Sequence, residues 1–207
     1  QPPRRGIEVE IFSRATESSR DPMEEEEPGV RVRHVLAGPL EGLDKYDLPR
    51  ELCSFAHGVM QVEARHERGY FDLIHSHYWL SGQVGMMASR RWQVPLVHTF
   101  HTVAAVKNAS LAEGDTPEPQ NRLDAEHAIT ANATRLTANT PAEKAELVRL
   151  LGARAQRIDV IPPGADLSLF SPGGPGATEA ARRQLGLPQE DQIIACLLYT
   201  SDAADER

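Results

Sequence analysis

"FDLIHSHYWLSGQVG", residues 71–85, decides the fold. An apolar run closes on His75, Ser76 and His77, then passes without a loop into Tyr78, Trp79 and Leu80. A run of strand length that turns straight into helical spacing is the first half of a βαβ unit. The pattern returns in "VPLVHTFHT", residues 94–102, where a second apolar strand closes on His98 and His101. Working outward, "IEVEIFSR" (7–14) and "VRVRHVLAG" (30–38) alternate apolar and polar residues as strands do. Leu48, Leu52, Phe55, Ala56, Val59, Met60 and Ala64 fall at helical spacing. Further helices are predicted over about 81–91, 121–133 and 178–185, and further strands in "TRLTANT" (134–140), in "RIDVIPPGAD" and from Gln192. Thr140-Pro141-Ala142-Glu143 is a capping box with proline at the first helical position, and Gly152 suits the left-handed cap that ends that helix.

Strands alternating with helices predict an α/β fold, a Rossmann-like doubly wound parallel sheet. Ligands of such sheets sit in the crevice beyond the carboxyl ends of the strands. His75 and His77 close one strand, and His98 and His101 another, so both groups are expected at that crevice. His75 and His77, two residues apart, share one face if the strand runs that far.

The totals exclude several classes. A net charge of -8 makes a poor general nucleic-acid binder. Much of the acid lies in "DPMEEEEPG", 21–29, which reads as a solvated loop. No apolar run approaches the ~20 residues of a membrane span, and "QPPRRGIEVEIF" has no secretory signal core. Cys53 and Cys196 are too few for a disulfide framework, which suits a reducing, cytoplasmic compartment. Gln1 in place of Met points to a missing N-terminus. The tail "CLLYTSDAADE", 196–206, resembles translated read-through of a transposase adapter, so 196–207 is taken as a sequencing scar. From Gly164 to Gly176 the chain turns rich in glycine and proline, which places a domain boundary near 165–176.

Three readings of the histidines stand side by side: metal ligands, a structural pair, or hydrogen-bonding groups for a sugar or phosphate. "HSH" lacks the following Asp-His that makes the metal pattern specific. Lys45, in "GPLEGLDKYDLP", follows a strand, and Arg122 stands near a helix start, where it opposes the helix dipole and hints at an anion. Tyr78 and Thr102 supply hydroxyls at the two strand ends. If they meet, these four groups make a receptor for a compact phosphate monoester. No Walker loop, G-x-G-x-x-G, H-E-x-x-H or G-x-S-x-G occurs.

"HSHYWLSGQVG", "VPLVHTFHTVAAVKNA", "EGDTPEP", "NRLDAEHAIT", "LTANTPAE" and "IDVIPPGADLSLFSPG" together resemble the retaining family 4 glycosyltransferases of GT-B fold, most of all the D-inositol 3-phosphate glycosyltransferases of mycothiol biosynthesis. The likeness implies an acceptor-binding N-terminal domain over 1–170, without its first strand, and the start of a nucleotide-sugar domain over 171–195. It implies transfer of N-acetylglucosamine from UDP-GlcNAc to 1D-myo-inositol 3-phosphate with retention. In it Lys45, Tyr78, Thr102 and Arg122 bind the inositol phosphate, and His101 stands at the reacting centre. Phe100 departs from it, where a small residue is expected. The family's G-R-x-x-x-x-K stretch should follow "QIIAC", where the scar begins, so the 207-residue chain is expected to be inactive and marginally stable by itself. The implied partners are the two small molecules, with no nucleic acid or membrane and with room for a homodimer. Magnesium can accompany the nucleotide in the full enzyme; no cofactor or metal site is assigned here. The alternative is a metal-dependent hydrolase built on His75/His77 and His98/His101.

Overall fold

A computed structural model describes residues 6–18 and 21–193. The adapter-like tail, Cys196 and the body of the strand expected from Gln192 lie outside them. The chain divides into two compact units, Gln1–Pro163 and Gly164–Arg207.

In the first unit the strands form two sheets. One has three strands in the order β1-β3-β2: β1 (Val9–Arg14), β2 (Met23–Glu27) and β3 (Val30–Val35). β1 runs parallel to β3, and β2 antiparallel to it. The strand β2 corrects the reading of 21–29 as a loop. Its glutamates would repel one another in isolation, but they lie along a basic strand. Glu25 stands opposite Arg31, and Glu24 lies 3.6 Å from the His34 ring. From the other side, Glu8 and Glu10 of the β1 edge pair with Arg31 and Arg33. Opposite charges across strands stabilise the pairing that like charges along a strand oppose.

The second sheet is fully parallel, in the order β4-β5-β6-β7: β4 (Ile74–His77), β5 (Leu96–Thr99), β6 (Arg135–Ala138) and β7 (Ile158–Val160). A short 3₁₀ turn at Leu48–Glu51 leads into α1 (Leu52–Glu63), which precedes β4. Helix α2 (Tyr78–Trp92) links β4 to β5; α3 (Ala104–Ala109) and α4 (Gln120–Asn132) link β5 to β6; α5 (Pro141–Leu151) links β6 to β7. Helix α2 begins three residues before the expected Ser81, because the chain turns directly at Tyr78. Helix α3 is too short to show a period in sequence. The capping box forms: Thr140 Oγ1 accepts from the Glu143 amide at 3.0 Å, and Gly152 ends α5 at φ 65°. The Glu143 carboxylate reaches back one residue further than the motif requires, to the Asn139 amide.

The core lies where the helices meet the parallel sheet. Trp79, Leu96, Phe100, Ile129, Leu136, Leu147 and Ile158 are among its buried members. A second cluster of Val35, Ala56, Val59 and Val84 joins α1 and α2 to β3. Gly82 and Gly85, on the buried face of α2, let that helix lie close to its neighbours. A methyl group at Gly82 would stand 2.5 Å from Ile129 Cδ1 and 2.8 Å from His98 Cε1.

The second unit contains α6 (Ala177–Gln184). Asp166 caps the turn before it through Ser168, and the Arg182 guanidinium donates to the carbonyls of Pro188, Gln189 and Asp191.

Gly82→Ala gains helix propensity, ~1 kcal/mol, but over-packs two fully buried side chains at ~1–3 kcal/mol. We expect a lower urea midpoint, and a midpoint at or above that of the wild type would contradict the close approach.

Candidate functional site at the strand ends

The carboxyl ends of β4 and β5 lie side by side, His77 opposite Thr99. Both chains leave them through strained residues. Tyr78 has φ 71° and His101 φ 61°. A bulky residue in the left-handed region costs ~1 kcal/mol or more, and such strain concentrates at sites. The turn at His101 is gripped on both flanks, by Phe100, fully buried with its ring edge-on to His98, and by buried Val103. Phe100, where a small residue is expected, is thus part of the core that fixes the turn.

The histidines separate into two kinds. His75 and His77 do share one face of β4, rings 4.1 Å apart. His77 Nδ1 lies 2.9 Å from His101 Nε2, and His75 Nε2 lies 2.9 Å from Thr99 Oγ1, which is bonded in turn to Thr137 Oγ1. A hydrogen bond between two imidazoles needs one donor and one acceptor, so the His77–His101 contact is incompatible with both rings being charged. Burial, and then charge repulsion from neighbouring imidazoles, lowers the pKa of His75 and His77. His98 corrects the expectation that both strand-end groups face the crevice. It is fully buried, with Nδ1 2.8 Å from Ser76 Oγ, and Nε2 has no partner. The register explains this: Thr99 and His101 lie on one side of the turn, and His98 points to the opposite face of the sheet, beneath α2. Burial, reinforced by the other imidazoles, lowers its pKa to about 3.

Three of the four sequence-predicted phosphate groups come together. The Arg122 guanidinium carbon stands 4.9 Å from the centroid of the Tyr78 ring. Arg122 Nη2 donates to Thr102 Oγ1 at 2.9 Å and to the Thr102 carbonyl at 3.2 Å. Arg122 is, however, only 1% exposed and is held by two carboxylates. Its Nε donates to Glu126 at 2.8 Å and its Nη1 to Glu118 at 2.8 Å. Burial works against its charge, but the Glu126 hydrogen bond and the charges of the two carboxylates outweigh it and raise the pKa. Glu126, itself fully buried, also accepts the Ala104 amide on both oxygens and so caps α3. Glu118 and Glu126 escaped the sequence reading. The signal was there, since each lies four residues from Arg122, the spacing of a helical ion pair.

Lys45 lies on the loop after β3, with Nζ 5.3 Å over the Tyr46 ring. Beside the first turn of α2 a hollow of about 240 Å³ is lined by Phe12, Arg14, Glu51, Leu52, Leu80 and Ser81. A larger one, about 480 Å³, lies at the opposite, amino end of β4 and β5, beside Asp72 and Pro95, away from the histidines. The strand-end chemistry, and not cavity size, marks the site. Among the described residues no group of three or more His, Cys, Asp or Glu is arranged to hold a metal ion, which leaves the hydrolase alternative without a centre there. Among them, too, no helix is long and apolar enough to cross a membrane.

Residues 3–164 match the model of the glycosyl transferase 4-like domain. D-inositol 3-phosphate glycosyltransferases of Rhodococcus opacus and Mycobacterium avium are 59% and 57% identical over 92% and 93% of this chain. The chain spans only 42% and 45% of those two relatives. Among solved structures, a sucrose-phosphate synthase from Thermosynechococcus elongatus superposes with a TM-score of 0.78 at 31% identity, over 89% of this chain and 44% of that one. Anabaena HepE with UDP-glucose, 24% identical and with a TM-score of 0.53 over 75% of this chain and 36% of its own, shares the fold.

His98 gives the fold a pH dependence. Its native pKa lies below the unfolded value of 6.5, so below that pH the unfolded chain binds the extra proton and stability falls with acid. The slope approaches ~1.4 kcal/mol per pH unit until the native pKa is reached. Denaturation of wild type and His98→Gln across this range isolates it: the difference between the two should change with pH, and parallel curves would refute the assignment.

Proposed function

Because the chain belongs to the glycosyl transferase 4-like family, we propose that its parent protein transfers N-acetylglucosamine from UDP-GlcNAc to 1D-myo-inositol 3-phosphate with retention, the first step of mycothiol synthesis. The observation that carries this reading is the meeting of Tyr78, Thr102 and Arg122 at the same strand ends as His101. A guanidinium and two hydroxyls form the hydrogen-bonding set that a phosphate monoester requires. Lys45, on its loop, adds a second cation to the acceptor phosphate. His101, projected by its strained turn and hydrogen-bonded to His77, stands at the reacting centre beside the donor sugar.

In this reading the acceptor phosphate sets the register of the inositol ring. Fixing a hydroxyl against the sugar carbon removes much of the entropic barrier of a two-substrate reaction. Negative charge develops on the departing diphosphate, and stabilising it falls to groups of the donor half. The described residues contain no acidic cluster suited to magnesium. An ion carried by the nucleotide would be coordinated mainly by its phosphates, and no step is derived through it.

Two measurements test the reading. In isothermal titration, 1D-myo-inositol 3-phosphate should bind at least ~10-fold more tightly than unphosphorylated myo-inositol. Tyr78→Phe, which keeps the ring on Arg122, should weaken the phosphorylated ligand ~5-fold. Equal affinity for the two inositols would sink the acceptor assignment. In the complete protein, His101→Ala should lower kcat ~100-fold with little change in acceptor KM. A matched rise in KM at constant kcat would remove His101 from the reacting centre.

A further inference from the structure

An arginine offered as a phosphate receptor should have free donors, yet Arg122 is buried and already carries two carboxylates. The two are held differently. Glu126 is fully buried and locked by the Ala104 amide as well as by Arg122. Glu118 belongs to the segment 110–119 between α3 and α4, and its side chain is 21% exposed. One of its oxygens accepts from Lys107 Nζ at 2.6 Å and the other from Arg122 Nη1 at 2.8 Å. Its amide donates to Asn108 Oδ1 at 2.7 Å. A carboxylate bridging two cations through two oxygens copies the way a phosphate bridges them. We propose that Lys107 and Arg122 are the two jaws of an anion clamp for the acceptor phosphate, and that the Glu118 carboxylate is an internal anion seated between them until the phosphate displaces it.

The inference rests on the phosphate reading of the site and adds to it a cation, Lys107, and a competitor, Glu118. Charge favours the exchange. Counted as ionised, Lys107, Arg122, Glu118 and Glu126 sum to zero, so these four groups together offer a phosphate dianion no net attraction. With Glu118 displaced, the remaining three groups carry one positive charge toward the ligand. Glu118 is the carboxylate free to leave, because it lies in the loop and partly in water, whereas withdrawing Glu126 would leave Arg122 buried without its fixed partner. Burial raises the pKa of Glu118, but the Lys107 hydrogen bond and the Arg122 charge outweigh it and lower it overall. The carboxylate is therefore ionised, and a true competitor, throughout the neutral range.

The test uses the 207-residue chain with inorganic phosphate and with 1D-myo-inositol 3-phosphate as probes. Glu118→Gln keeps the side-chain shape and removes the competing charge, and should tighten both ligands ~10-fold. Lys107→Met should weaken both ~10-fold, in the wild type and in the Glu118→Gln background alike. Unchanged or weaker binding in Glu118→Gln, with the wild type binding normally, sinks the internal anion and leaves the phosphate reading standing. No binding of either probe by any form, all of them folded by circular dichroism, sinks both. Hydrogen exchange on the unmutated chain gives an independent readout. Phosphate should speed exchange in 110–119 as Glu118 is released and slow it at the start of α4. Slowing in both segments would mean that the carboxylate stays, and would overturn the proposal.

Discussion

One buried guanidinium holds the site together. Arg122 reaches from α4 to the carbonyl and hydroxyl of Thr102 after β5, to Glu126 on its own helix, to Glu118 in the preceding loop and to the face of the Tyr78 ring at the start of α2. Three stretches that are separate in the chain, at Tyr78, at Thr102 and at 118–126, are thereby fixed relative to one another. A buried ion pair is seldom a large net source of stability, but removing one partner costs ~3–5 kcal/mol, because a charge is left buried alone. The arrangement is best understood as a device of geometry. It fixes where Thr102 and Tyr78 can be, and with them the turn that carries His101.

The strain at Tyr78 and His101 follows from the same demand. Two parallel strands end side by side, and each must turn at once to bring its side chain over the sheet edge. Neither position is glycine, so each turn costs conformational energy that the surrounding core has to offset. Phe100, Val103 and Trp79 lie within two residues of the strained positions and are all buried. Packing beneath the turn supplies what the backbone above it loses. A polar ladder, His75–Thr99–Thr137, crosses three strand ends beside the His77–His101 pair.

Much was legible without coordinates because it depends on local period and on single residue types. The βαβ order, the capping box at Thr140 and the left-handed cap at Gly152 are encoded within a few residues each. So is the placing of His75 and His77 on one face. What failed did so where a partner distant in sequence decides. "MEEEE" looks like a solvated loop until the arginines of β3 are set beside it. The start of helix α3 is set by a carboxylate of α4, which accepts its first amide. His98 and His101 read alike, three residues apart, yet one is sealed beneath α2 and the other is exposed at the turn.

The sequence by itself determined an α/β chain whose strands end in histidines and hydroxyls, because alternation, helical spacing and capping are written in neighbouring residues. The tertiary structure alone decided that Arg122 is buried between two carboxylates, that Glu118 bridges it to Lys107, and that His98 belongs to the core. Charge and burial are properties of what surrounds a side chain in space, and residues far apart along the chain supply those surroundings.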